Sequence, residues 1–205
     1  MMHFSWLKNS WMSKLKKTGL FFGSFNPVHI GHLIIANYLA EFGNLDQVWF
    51  IVSPQNPHKN KSTLLAEEHR LEMVSRAISD DSRLRASDVE FKMPKPSYTI
   101  HTLQYLSNKH PDCEFFLIMG ADQLPLFHKW MNPELILDQY RILVYPRPGS
   151  EDHELLKHPG VMEVKAPLME ISSSFIRNAI KAGKDVQYFL HPAVWNYIRE
   201  MNFYR

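Results

Sequence analysis

The chain has 205 residues, 45% of them apolar and 21% charged, which suits one compact soluble domain with a sizeable core and leaves little room for a second. Formal charge is only +2, so there is no global basic field to hold nucleic acid, and any pull on polyanions must come from local clusters. One cysteine, Cys113, forms no internal disulfide or zinc knuckle, and no apolar run reaches the ~18 residues that span a bilayer, so a soluble, cytoplasmic protein with no membrane partner is expected.

The first seventeen residues, MMHFSWLKNSWMSKLKK, lack the unbroken apolar stretch of a secretory signal and are expected to form a poorly ordered extension ahead of a domain over 18–205. Met12 offers an alternative start that would place residues 1–11 outside the native protein; a short basic amphipathic anchor is the competing reading. Residues 18–22 and QVWFIVS (47–53) are short β-branched and aromatic runs, as in strands buried on both faces. Between them, Ile30, Leu33, Ile34, Tyr38 and Phe42 recur at helical spacing over 30–42, which makes a βαβ unit.

A helix follows over 66–79 with Leu71, Val74 and Ile78 inward, then a strand in RASDVEF (85–91), a helix over 97–110 and a strand in CEFFLIMG. YRILVYPRPG is a strand stopped by prolines, VMEVKAP a sixth strand, SSSFIRNAIKAG a helix with a serine cap and a glycine stop, and 192–200 a last helix. The alternation predicts an α/β fold: a single doubly wound Rossmann-like parallel sheet with helices on both faces. Ligands of such sheets sit outside the carboxyl ends of the strands.

The richest stretch is GSFNPVHIGH, 23–32. It has neither the GK[ST] ending of a P-loop nor the GxGxxG spacing of a dinucleotide fingerprint. Gly23 and Ser24 permit a tight turn after the strand, and Gly31 has no side chain to keep a phosphate from the helix start. His29 and His32, three apart, are expected on one helical face as donors to phosphoryl oxygens; no third ligand at suitable spacing supports a metal pair. SSSFIR adds hydroxyls at a helix start with Arg177 one turn in, a second place where amides and a guanidinium meet an anion. MGADQL sets a carboxylate, Asp122, after a strand that ends at Gly120, suited to ribose hydroxyls.

GSFNPVHIGH resembles the HxGH signature of the nucleotidyltransferase superfamily. With SPQNPHK (53–59), GADQLPLFHKW (120–130) and ISSSFIR (171–177), the chain resembles nicotinate-nucleotide adenylyltransferases over residues 18–200. That resemblance implies catalysis by His29 and His32. ATP would be held by Gly23, Ser24, Phe25 and Lys59, by Gly120 and Asp122 at the ribose, and by Ser173, Ser174 and Arg177 at the phosphates. The mononucleotide would meet His58, Tyr98, Thr99 and Trp130, the tryptophan stacking on the pyridine ring.

Mg²⁺ would arrive with ATP, without a metal site of the protein's own. Arg147 falls near the adenine by analogy or is a plain loop arginine, and Asn26, where the pattern usually has Asp, takes no carboxylate role. The implied reaction is direct in-line attack by the phosphate of nicotinate mononucleotide on the α-phosphorus of ATP, giving deamido-NAD and pyrophosphate. Competing readings are an adenylyltransferase for nicotinamide mononucleotide or phosphopantetheine, and a non-catalytic nucleotide sensor on the same scaffold. A class I aminoacyl-tRNA synthetase fragment is disfavoured because WMSKLKK precedes the histidines instead of following them. Oligomeric state is left open.

Overall fold

A computed structural model describes residues 14–54, 64–150 and 153–205. Six strands form one parallel sheet: β1 (Lys16–Gly23), β2 (Gln47–Val52), β3 (Leu84–Ser87), β4 (Cys113–Gly120), β5 (Arg141–Tyr145) and β6 (Val161–Glu163). Their spatial order is β3-β2-β1-β4-β5-β6. The order reverses between β1 and β4, and a doubly wound sheet opens its ligand crevice at that switch point. Register fixes the rim: Gly23 lies beside Val52, and Gly120 beside Tyr145.

Successive residues of a strand face opposite sides, and the apolar runs therefore feed two cores. Phe21, Phe50 and Val52 point to one face and pack with helices α1 (Ile30–Phe42), α2 (Glu67–Ala77), α5 (Ser173–Lys181) and α6 (Pro192–Glu200). Leu20, Trp49, Ile51 and Leu117 point to the other, against α3 (Thr99–Lys109) and α4 (Pro133–Gln139). Removing Leu20 or Leu117 to alanine would cost about 2–5 kcal/mol, since each is fully enclosed. No helix of the described residues is long and apolar enough to cross a membrane.

Local chemistry sets the helix ends. Ser172 Oγ accepts from Phe175 N at 3.1 Å to cap α5, and Gly183 adopts φ +71° just beyond its end. Pro192 opens α6, and His191 Nδ1 accepts from Ala193 N at 3.3 Å.

Several details differ from the sequence expectation. β1 begins at Lys16, with Lys16 and Lys17 paired to Cys113 and Glu114, so two residues of the expected extension belong to the sheet. The strand expected over 85–91 stops at Ser87 because Glu90 turns inward in a 3-10 turn (Val89–Lys92), where Thr102 and Ser97 hydroxyls donate to it at 2.8 and 2.9 Å. β6 is only three residues long. Val74 and, at the end of α2, Ile78 are buried as expected, but Arg70 and Met73 share the inward face and Leu71 is only half-buried. Helix α4, for which the pattern gave no signal, starts from Asn132 at φ +49° with Pro133 at its first position.

Candidate active site

The loop that leaves β1 is held from below by aromatic rings. Phe25 has φ +45°, a left-handed conformation that costs a non-glycine residue on the order of 1 kcal/mol. Its ring offsets that cost, packing 5.7 Å from Phe21, 5.3 Å from Phe50 and 5.1 Å from His32. Gly23 is required beneath it, since a Cβ there would lie 2.7 Å from Phe25 Cζ. Phe25, expected among the ATP contacts, thus gives its side chain to the core.

Only one of the two histidines sits within α1. His29 is the N-cap residue, in extended conformation at φ −139°, and His32 is in the first turn. Their rings stack, with centroids 3.7 Å apart and planes 26° apart. His29 N donates to His32 Nδ1 at 3.2 Å, which leaves the proton of a neutral His32 on Nε2 and makes that nitrogen the donor. His29 is 4% exposed; burial, helped by the positive charge of Arg147, lowers its pKa to about 3. It is neutral at any working pH, so what it can offer an anion is a hydrogen bond and no charge.

His29 Nδ1 is buried and makes no full hydrogen bond among the described residues: the His32 backbone N–H approaches the His29 side chain as in a capping box but is given to His29 O at 2.9 Å. An orphaned buried polar atom calls for a partner, and a phosphoryl oxygen would serve. Gly31 lies beside it: a Cβ at 31 would come 3.1 Å from that nitrogen. The glycine therefore keeps room for the imidazole, which is a second task beyond the open helix start expected of it.

Helix α5 is clipped onto the same loop. Arg177 Nη1 donates to Asn26 O at 2.8 Å, and Ser173 Oγ donates to Pro27 O at 2.9 Å. Arg177 Nη2 also donates to Ser174 Oγ at 3.2 Å. Residues about 150 positions apart thus bring the guanidinium to the imidazole loop, with the dipole of α5 behind it. The division of labour among the serines is finer than the pattern suggested: Ser172 caps, Ser173 fastens, and Ser174 orients Arg177.

On the β4 side, the Asp122 carboxylate folds back over Gly120, where a side chain would collide with it. Asp122 Oδ1 is 3.6 Å from Arg147 Nε, and Arg147 Nη1 donates to Met169 O at 3.2 Å. Arg147 is more than a plain loop arginine: it bridges the rim of β4 to the segment leading into α5. Tyr145, half-buried between these groups and Phe21, has its phenol pushed up to about 12 by burial.

Tyr98 and Trp130 pack against the second core, and Thr99 opens α3 on that same side. Trp130 lies tilted on Phe127 at 5.3 Å. Among the described residues, no hydrogen bond joins these three to the imidazoles. His58 and Lys59 lie outside the described residues.

Sequence reasoning missed three groups. Asn26 is a structural hub: its Oδ1 accepts from Tyr204 Oη at 2.8 Å and from Leu65 N at 3.3 Å. Tyr204, with its phenol raised well above the usual range by burial, brings the C-terminal turn to the site; nothing in its neighbourhood in the sequence signals this. Arg70 is fully buried, and its place on the inward face of α2, four residues before Val74, was a readable signal.

Fold and site together define an α/β protein with a doubly wound parallel sheet whose switch point carries a cluster of hydrogen-bond donors. Residues 20–179 match the cytidylyltransferase-like family model, and the chain belongs to that family. Relatives named probable nicotinate-nucleotide adenylyltransferase are 53% identical in Flavobacterium johnsoniae, covering 92% of this chain and 99% of the relative, and 52% identical in Bacteroides fragilis, covering 89% and 90%. The fold is also that of a Plasmodium falciparum nicotinic acid mononucleotide adenylyltransferase complexed with NaAD, at TM-score 0.79 and 21% identity over 92% of this chain and 97% of that one.

Proposed function

We propose that the chain transfers AMP from ATP to nicotinate mononucleotide, releasing pyrophosphate and forming deamido-NAD. The observation that carries this reading is the stacked pair His29–His32 joined through Asn26 to Arg177 at the switch point of the sheet, in a chain about half identical to relatives named for that reaction.

An oxygen of the mononucleotide's 5′-phosphate attacks the α-phosphorus of ATP, and the bond from that phosphorus to the bridging oxygen of the β-phosphate breaks. The attacking phosphate is already ionised at neutral pH, so no general base is needed. His32 Nε2 and His29 donate to oxygens of the crowded α-phosphoryl group, and Arg177 offsets charge on the departing pyrophosphate. Asp122, beside Gly120, receives the ribose, and Trp130 receives the pyridine ring.

Among the described residues no three histidine, cysteine or carboxylate side chains form a metal-holding group. Mg²⁺ in this reading is carried in by ATP on phosphate oxygens and water, where it supplies charge neutralisation. The soluble phosphate substrates and the lone Cys113 go with a cytoplasmic setting.

The test is a pyrophosphate-release assay with ATP, Mg²⁺ and three acceptors: nicotinate mononucleotide, nicotinamide mononucleotide and phosphopantetheine. Release at least about tenfold more efficient with the first is expected. Equal or better release with another acceptor would move the substrate, and none with any mononucleotide would end the enzymatic reading.

A further inference from the structure

Parallel strands that end at one rim leave backbone carbonyls without ladder partners just where a polyanion is to bind. A carbonyl oxygen facing a phosphate repels it. In this chain the carbonyls of Ser24, after β1, and of Ser53 and Pro54, after β2, face elsewhere. Arg70, on α2 and fully buried, donates from Nη1 to Ser24 O and to Ser53 O, each at 2.7 Å. It donates from Nη2 to Pro54 O and from Nε to Leu65 O, both at 2.9 Å.

Four of its five N–H donors thus collect four carbonyls from three separate segments, and the acceptors are neutral. Such an arrangement needs the planar fork of a guanidinium; an ammonium has one nitrogen and three donors. An arginine placed only to satisfy a carboxylate would look different. The carboxylates of Glu67 and Glu68, on the same helix, act on this charge through space, so what distinguishes Arg70 is the set of carbonyls its fork gathers beneath the loop.

The knot also reaches the donors above it. Leu65, whose carbonyl Arg70 holds, gives its N–H to Asn26 Oδ1, and the Asn26 carbonyl accepts from Arg177. Ser24 lies one residue before Phe25, whose left-handed backbone sets the course of the chain to His29.

We propose that Arg70 is a positioning residue for the phosphate site: by gathering the carbonyls of Ser24, Ser53, Pro54 and Leu65 inward, it fixes the loop after β1, and Ser53 and Pro54 at the end of β2, in the anion-accepting form. This rests on the reading that the phosphates of ATP lie over the loop between β1 and α1. Arg70 touches no substrate and acts through the backbone.

The experiment uses Arg70→Lys and Arg70→Met in the full chain, with folding checked by circular dichroism. Binding of α,β-methylene-ATP is measured by calorimetry, and kcat and both KM values are measured with nicotinate mononucleotide. Arg70→Lys keeps the charge and the apolar stem, so it decides the question if Arg70→Met does not fold. The expected result for folded Arg70→Lys is analogue binding weakened about tenfold, kcat reduced about tenfold or more, and KM for the mononucleotide within about twofold.

Analogue binding and kcat within about twofold of wild type in folded Arg70→Lys would reduce Arg70 to core packing and overturn the proposal. An equal rise in both KM values would do the same, since a generally loosened fold does not choose between substrates. If the wild-type chain turns over no acceptor, the functional reading fails, while the analogue titration still decides the role of Arg70.

Discussion

The two sides of the crevice are built differently. On the β1 side, the loop 24–29 is tied to α2, α5 and the C-terminal turn by hydrogen bonds from Arg70, Ser173, Arg177 and Tyr204, the last from 178 residues away. On the other, the expected acceptor residues Tyr98 and Trp130 pack on the second core with no side-chain hydrogen bond among the described residues, and their ring partners are close in sequence: His101 for Tyr98, Phe127 for Trp130. Where charge must be stabilised in a fixed geometry, the donors are set in advance by long-range contacts. Where a flat ring is to be received, local packing suffices. The contrast predicts that substitutions on the first side change the rate and those on the second change mononucleotide affinity.

The sharpest test of that contrast is His32→Ala. It removes the Nε2 donor and the acceptor of the His29 N–H at once. The expected loss is about 10²- to 10⁴-fold in kcat, in keeping with removal of one positioned donor, with an unchanged circular dichroism spectrum. Turnover within about threefold of wild type would take the imidazoles out of the mechanism.

Gly31→Ala asks whether the imidazole geometry matters apart from its chemistry. Alanine is the better helix former by about 1 kcal/mol, yet its Cβ would press on the His29 ring at 3.1 and 3.2 Å. The outcome expected is a protein at least as hard to melt as wild type, with kcat reduced by about ten- to a hundredfold. A variant of full activity would show that the ring tolerates displacement and that the β1 side is looser than its hydrogen bonds imply.

The sequence made the skeleton of the site legible and its joinery invisible. Strand, turn and helix signals placed His29, His32, Gly120, Asp122 and Arg177 at the carboxyl rim, because period-two and helical patterns are local properties of the chain. Legibility stopped at contacts that only tertiary structure creates. Nothing near Tyr204 in the sequence says that its hydroxyl meets Asn26. That Ser173 would fasten to Pro27 while Ser172 caps the helix is not decidable among three consecutive serines. His29 looked like a helix-face residue because i,i+3 spacing does not distinguish a cap from the first turn. Arg70 was readable in principle, yet an arginine among apolar partners is easily taken for a residue that reaches to solvent.

Burial of a neutral imidazole on the tightly tied side has a consequence for stability below neutral pH. In the unfolded chain His29 binds a proton near pH 6.5, whereas in the folded chain it does so only near pH 3. Between those values the unfolded state holds the extra proton, so stability falls as pH drops from about 6.5 towards 3, by about 1.4 kcal/mol per pH unit for this one group. Denaturant unfolding of wild type and His29→Asn at pH 7, 6, 5 and 4 measures it. The two stability curves should diverge in slope by close to one proton below pH 6; parallel curves would mean that His29 is solvated or charged in the folded protein.

The smallest effect expected is on the β4 side, from Trp130→Ala. The indole is half-buried with a tilted contact to Phe127, so truncation removes part of the edge of the second core as well as the proposed ring platform. A cation over an indole face contributes about 1 kcal/mol at a partly exposed site, which corresponds to about a fivefold rise in KM for the mononucleotide. Trp130→Phe keeps a ring face and should recover most of it. KM for ATP and analogue binding should stay within about twofold in both variants, because no hydrogen bond ties Trp130 to the imidazole loop among the described residues. An ATP KM that rises in step with that of the mononucleotide would show that the two sides act as one unit, and the contrast between a fixed phosphate side and a locally packed acceptor side would be lost.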